Sequence, residues 1–194
     1  MMLPPRRPLA ALVLAAGVVI AGLASASLIL ALDLPTMVAS ADNIAVVEVV
    51  SAKAAWNAQH TRILSTIDLA VVDGWKGTAS PAAHVVVVQP GGTVDDITMT
   101  IAGMPRFTPG ERALVFLRGP ADRASVVGMA QGKRAVRPEA GTGRWMVSAP
   151  DRAGADFVRT TPAAAAPVFE LRARPLADLR AEVRALVGAA REGR

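Results

Sequence analysis

The sequence predicts a mainly β protein: a small barrel or sandwich with a short N-terminal helix and an amphipathic C-terminal helix. Three observations carry this. Short runs rich in Val, Ile and Leu recur between Gly/Pro turns from Asn43 to Ser148. Several of them alternate with period two, and no strand–helix alternation of the kind that builds a doubly wound sheet breaks the series. Near the end the apolar period becomes helical.

The chain opens on an export signal. Met1–Pro8 holds Arg6 and Arg7 and no acid, Leu9–Ala26 is apolar, and Ala24-Ser25-Ala26 is a small-x-small site of the kind signal peptidase cuts. Cleavage before Ser27 is expected, by the general route, since Pro5 and Pro8 fit a twin-arginine motif poorly. The alternative is an uncut anchor. Apolar character continues through Leu28–Leu32, and residues 9–32 exceed the roughly 20 apolar residues that span a bilayer. The expected organisation is a signal peptide over 1–26, a β-barrel domain over 33–148, an Ala/Pro-rich linker over 149–174 and a helix over 175–191.

Along the exported part, Asp33–Asp42 reads as a short helix, capped by Asp33 with Pro35 in its first turn. Asn43–Ser51 is compact and β-branched, a strand buried on both faces, with Glu48 at an edge or in an inward ion pair. Ala52–Thr61 reads as a polar connection. Arg62–Val72 alternates, and Asp73–Gly77 ends it. His84–Gln89 is a third strand and Ile97–Ile101 a fourth. A breaker-rich loop over Gly103–Gly110 leads to Ala113–Leu117. Val126–Met129 and Lys133–Val136 are short strands, the second paired with Arg144–Ser148 across Pro138–Gly143. Leu176, Leu179, Val183, Leu186 and Val187 form one helical stripe. The expected barrel core is Ile44, Val46, Ile67, Leu69, Val71, Val86, Ile101, Leu114 and Phe116.

Composition narrows the function. There is no cysteine, which excludes a disulfide scaffold, thiol redox chemistry and a thiol-linked lipid. Of 21 basic residues only Lys53, Lys76 and Lys133 are lysines. That bias, with abundant Ala, reads as GC-rich coding. Without Arg6 and Arg7 the net charge is about +3, and no basic block is interleaved with aromatics, so nucleic acid is not an expected partner. Zinc-peptidase, serine-hydrolase and phosphate-loop motifs are absent. Asp95 and Asp96, with His84, are the residual cluster for a metal-dependent hydrolase, set against a solvated two-acid turn. Trp56, Trp75 and Trp145 would make a stacking platform if exposed, or cap the core ends if buried. Arg106, Arg112, Arg118 and Arg134 would make a basic rim or lie scattered.

The order of motifs resembles the netrin-like domains, the OB-type barrel of the tissue inhibitors of metalloproteinases. A strand follows Ala41-Asp42, a second ends in Lys76-Gly77, and Pro109-Gly110-Glu111-Arg112 precedes ALVFL. It is also similar to a group of uncharacterised exported bacterial proteins with segments like Gln89–Gly92, Gly103–Leu117 and Val127–Lys133. The resemblance covers about Asp33 to Val147 and implies an OB or netrin-like β-barrel. The inhibitors chelate the protease zinc through an N-terminal cysteine, which this chain lacks, so no inhibitory residue carries over.

The expectation is therefore an exported, non-enzymatic binding or accessory module of the periplasm or extracellular space. No cofactor is expected, and the partner would be another exported or envelope protein. Membrane contact would come only through an uncut N-terminal segment, in which case the domain would be an anchored accessory module. Arg106, Phe107 and Arg112, on the loop set by Pro105 and Pro109, are the expected binding residues, with Phe107 either a recognition hot spot or a plug for the barrel end.

Overall fold

The computed structural model describes residues 27–77, 80–151, 153–158 and 172–192. The expected signal peptide with its Ala24-Ser25-Ala26 site, and residues 159–171 of the expected linker, lie outside the described residues.

Strand β1 (Ser27–Leu30) leads into helix α1 (Leu34–Ser40). The helix begins as its sequence dictates: Asp33 Oδ1 accepts from the Thr36 N–H at 2.8 Å, and Pro35 sits where no backbone donor is required. The carbonyls left over at its end are met by side chains from distant strands. Lys76 Nζ donates to the carbonyls of Val38 and Ala41, each at 2.6 Å, and Arg118 Nε to that of Ser40 at 3.0 Å.

Strands β2 (Asn43–Trp56) and β3 (Ile63–Lys76) form a long hairpin. Both run further than the alternation suggests. Ala52–Trp56, expected as connection, continues β2, and Asp73–Lys76, expected as a turn, continues β3. The cause is a set of bulges: the register skips Val72 and Trp75 on β3 and Val50 on β2. Each extra residue breaks the alternation without ending the pairing, and bulges bend and twist the strand that carries them. Val50 and Val72 are also among the exposed large apolar residues.

The remaining elements are β4 (His84–Pro90), β5 (Gly92–Val94), β6 (Ile97–Met99), β7 (Arg112–Arg118), β8 (Ser125–Val126), a 3-10 turn (Met129–Gly132), β9 (Lys133–Pro138), β10 (Trp145–Val147), β11 (Ala155–Val158), β12 (Arg174–Pro175) and α2 (Leu176–Glu192). The main sheet has the order β12-β10-β9-β7-β2-β3-β4, with β8 on β7, and curls into a half-barrel. Its open side is bridged. Val86 N–H donates to the Ala121 carbonyl at 2.7 Å, and Ala124 N–H to the Val86 carbonyl at 2.8 Å. Val87 and Ala124 form a parallel bridge, and β8 carries the chain back to β7. Predicted β9–β10 pairing is present, with Val147 opposite Val136. The segment Val126–Met129, expected as a strand, instead bends at Gly128 into the 3-10 turn.

Two cores lie on opposite faces of this sheet. Inside the half-barrel are Val47, Val49, Ile67, Leu69, Val71, Val85, Val87, Val115 and Leu117. Outside it, under the helices, are Met37, Ile44, Val46, Trp75, Leu114, Phe116, Leu179 and Val183. The single expected core is thus divided: Ile67, Leu69 and Val71 face inward, while Ile44, Val46, Leu114 and Phe116 face the helices. Val86 is only half-buried, between buried Val85 and Val87, and Ile101 is half-buried outside any strand. A run such as HVVVV has no alternation, so it cannot say which parity faces in.

The C-terminal stripe docks as its spacing predicts. Leu179 and Val183 are fully buried, with Leu176, Leu186 and Val187 packed beside them. Arg180 Nη2 meets Asp73 Oδ1 at 2.8 Å, and Asp73 Oδ2 accepts from Trp75 Nε1 at 2.8 Å. No described helix is long and apolar enough to cross a membrane.

β1 pairs in parallel with β11, which falls in the stretch expected as linker. The carboxamide of buried Gln131 holds β1's end, accepting from the Leu32 N–H and donating to the Leu30 carbonyl, both at 2.9 Å. Neither strand shows a pattern of its own, because each is defined by its partner.

Candidate functional site

The barrel interior opens at one end into a cleft of about 460 Å³. Ala52, Ser65, Ile67 and Gln89 form its floor, from β2, β3 and β4. Thr93, Thr98 and Met99 of the β5–β6 hairpin, with Ile101 and Met104–Thr108, form its walls. The hairpin is fastened at its base, where Gly91 N–H donates to the Ile63 carbonyl at 2.9 Å and Ser65 Oγ to the Gly91 carbonyl at 2.7 Å. The loop is fastened by Gln89, whose Nε2 donates to the Pro105 carbonyl at 2.7 Å.

A staple fixes the rest of the loop. Lys133 Nζ meets Glu111 Oε1 and the Arg106 carbonyl, each at 2.7 Å. Glu111 Oε1 also accepts from the Thr108 N–H at 2.9 Å. The Lys133 and Glu111 side chains are 11% and 18% exposed, so their pairing is little weakened by solvent. Lys133 Nζ also stands 5.3 Å from the centre of the Phe107 ring. Replacing Lys133 by Met should cost about 1.5–3 kcal/mol, the value of charged hydrogen bonds. Urea unfolding measures it, and limited proteolysis should cut within 103–110 sooner than in the parent protein.

Of the expected binding residues, Arg106 and Phe107 line this cleft and Arg112 does not. Phe107 packs on the barrel interior, the plug arrangement anticipated for it. Arg106 is exposed at the rim. Arg112 lies in a separate depression of about 390 Å³, with its guanidinium 4.7 Å from the Trp145 ring centre and 3.7 Å from Glu48. Glu48 is in the middle of the sheet, not at an edge, and its ion pair faces outward. Arg118 caps α1 and Arg134 is 1% exposed, so the four arginines form no rim.

The other candidates separate likewise. Asp95 and Asp96 are the exposed turn of the β5–β6 hairpin, and His84 Nδ1 sits 2.7 Å from Asp68 Oδ1 on the neighbouring strand. No three His, Cys, Asp or Glu side chains gather among the described residues. Trp75 is buried, Trp56 stacks on His60 with centroids 6.0 Å apart, and Trp145 is 40% exposed beneath Arg112, so the three share no platform.

The cleft lining not anticipated from sequence includes Gln89, Thr98 and Met99. The signal for Gln89 was present in the QPGG segment, since a polar residue at an inward strand position needs a partner. Comparison with protein-family models, with curated proteins and with solved structures finds no match to the chain in any of the three.

Proposed function

We propose that this is an exported binding module of OB or netrin-like type that recognises its partner through the cleft at the barrel mouth. The observation that carries the reading is the convergence of two anchored, Gly/Pro-set loops on one cleft. Rigid scaffolds with loops of this kind bind without a large ordering cost, and the volume is in the usual range for ligand sites. Arg106 is the sole ionisable residue among those lining the cleft. That equips it to attract and orient a partner and supplies no acid–base pair for catalysis. The OB-type reading is supported by the curl of the β4-β3-β2-β7 sheet, across whose open side Ala124, the residue before β8, bridges to Val87 of β4. Export with cleavage after Ala26 is supported by the hold of Gln131 on Leu30 and Leu32, which commits those residues to the domain instead of a bilayer span.

The test is capture from the envelope fraction by the full chain carrying a photo-crosslinker at Asp96, with Thr98→Trp added to fill the cleft from an exposed position. The adduct should disappear in Thr98→Trp at unchanged melting temperature. An adduct that survives the filled cleft moves the interface elsewhere on the barrel.

A further inference from the structure

The helices cover the outer face of the sheet only in part. α1 and α2 lie over Ile44 and Val46 of β2, while Glu48, Val50 and Lys53 farther along the strand are exposed, as is Val72 on β3. Val50 and Val72, 49% and 40% exposed, are extra residues of two bulges, so each bulge turns a valine to solvent. The register places half-buried Val86 of β4 beside Asp68 on the same face.

The charges of this face are arranged about the β2 bulge. Ser51 is opposite Asp68 and Lys53 opposite Thr66, which returns Lys53 to the face that carries Glu48. Glu48 stands two residues before Val50, and Lys53 two residues after Ser51. Opposite charges thus lie at nearly equal distances on either side of one exposed valine. Lys53 makes no ion pair or side-chain hydrogen bond among the described residues. Glu48 has Arg112 Nη2 at 3.7 Å, beyond hydrogen-bond length, and its carboxylate can accept more. The other acid of the face, Asp68, is engaged by His84 Nδ1 at 2.7 Å.

We propose that this face binds a second copy of the chain, in a two-fold dimer whose β2 strands cross at Val50. A two-fold contact pairs a surface with itself, so it must be self-complementary. An axis lying between the sheets and perpendicular to β2 reverses the strand and brings Lys53 of each copy to Glu48 of the other. An axis along the strand would oppose Glu48 to Glu48, so charge selects the antiparallel crossing. Sheets packed face to face lie about 10 Å apart, a gap that Lys and Glu side chains bridge from the two sides. An anionic lipid surface would repel Glu48 and Asp68, and a neutral one would leave Lys53 and Glu48 unpaired. The cleft opens on the inner face, where Ala52 and Ile67 form its floor, so both copies keep it accessible and the inference does not rest on its role.

Sedimentation velocity of the exported protein from roughly 1 to 300 µM should show a monomer–dimer equilibrium with Kd on the order of 10 µM, as fits a small reversible contact. Lys53→Glu and Glu48→Lys should each raise Kd about tenfold or more, with unchanged melting temperatures at low concentration, because both side chains are exposed. Mixed in equal amounts, the two variants should dimerise as tightly as the parent, since one contact is then native and the other has its signs exchanged. Val50→Glu should abolish the dimer. A protein that stays monomeric over the whole range overturns the proposal. So does a dimer unaffected by Val50→Glu or by either single reversal, which would lie on another face. Single variants that fail to pair when mixed refute the antiparallel crossing, and an assembly larger than two copies refutes the closed two-fold contact.

Discussion

Phe116→Ala should lower the unfolding free energy by about 3–5 kcal/mol, the range for truncating a buried Phe. Phe116 is fully buried at the centre of β7, between the outer face of the sheet and the two helices. Its cluster joins Met37 of α1, Ile44 of β2, Trp75 of β3 and Leu179 of α2, so the cavity would open where five elements meet. α1 and α2 are held in place by each other and by β3, β7 and β10, and an uncollapsed cavity brings the loss toward the upper end. Urea unfolding followed by far-UV circular dichroism measures the change. Amide exchange in α2 should also quicken more than in β4, which packs on the opposite face. A loss below about 1 kcal/mol, typical of a surface change, would contradict the helix-side core.

Gly77→Ala should cost about 2–5 kcal/mol, from two separable causes. Gly77 has φ +83, a left-handed conformation in which a side chain costs about 1–2 kcal/mol. A Cβ there would also stand 2.3 Å from Asn43 Oδ1 and 2.4 Å from the Asp42 carbonyl oxygen, and overpacking of this kind adds about 1–3 kcal/mol. Gly110 is the natural control. Its φ is +81, and nothing lies within 4 Å of its added Cβ. Gly110→Ala should therefore show the conformational cost alone. The difference between the two variants isolates the close approach of the β3 end to the start of β2. Equal losses would mean that the backbone at Asp42 and Asn43 yields freely.

Gly77 also explains why its motif is readable in the sequence. Lys76 caps α1 through the carbonyls of Val38 and Ala41, while Gly77 passes against Asp42. The Ala41-Asp42 and Lys76-Gly77 pairs, distant in the chain, are two sides of one contact. The same holds for Glu111 of the PGER segment with Lys133 of VGMAQGK, and for Gln89 of QPGG with Pro105 of GMPR. These motifs are the joints of the fold, and two of the three joints also position the cleft.

Local signals were sufficient wherever a single element decides its own state. The Asp33 cap, the Pro35 first turn, the β9–β10 hairpin and the α2 stripe each rest on residues a few positions apart, and all are present as read. The face of each valine run was decided only by tertiary structure, because β2 and β7 are buried on both sides and their patterns have no parity. So were the bulges at Val50, Val72 and Trp75, which depend on how β2 and β3 curl together, and the strands β1 and β11, which exist through each other and the carboxamide of Gln131. The cleft is of this second kind. Arg106 and Phe107 could be singled out from their prolines. Their union with Gln89 and Met99, and their separation from Arg112, follow from long-range pairing that places Pro105 on β4 and turns Arg112 onto Trp145.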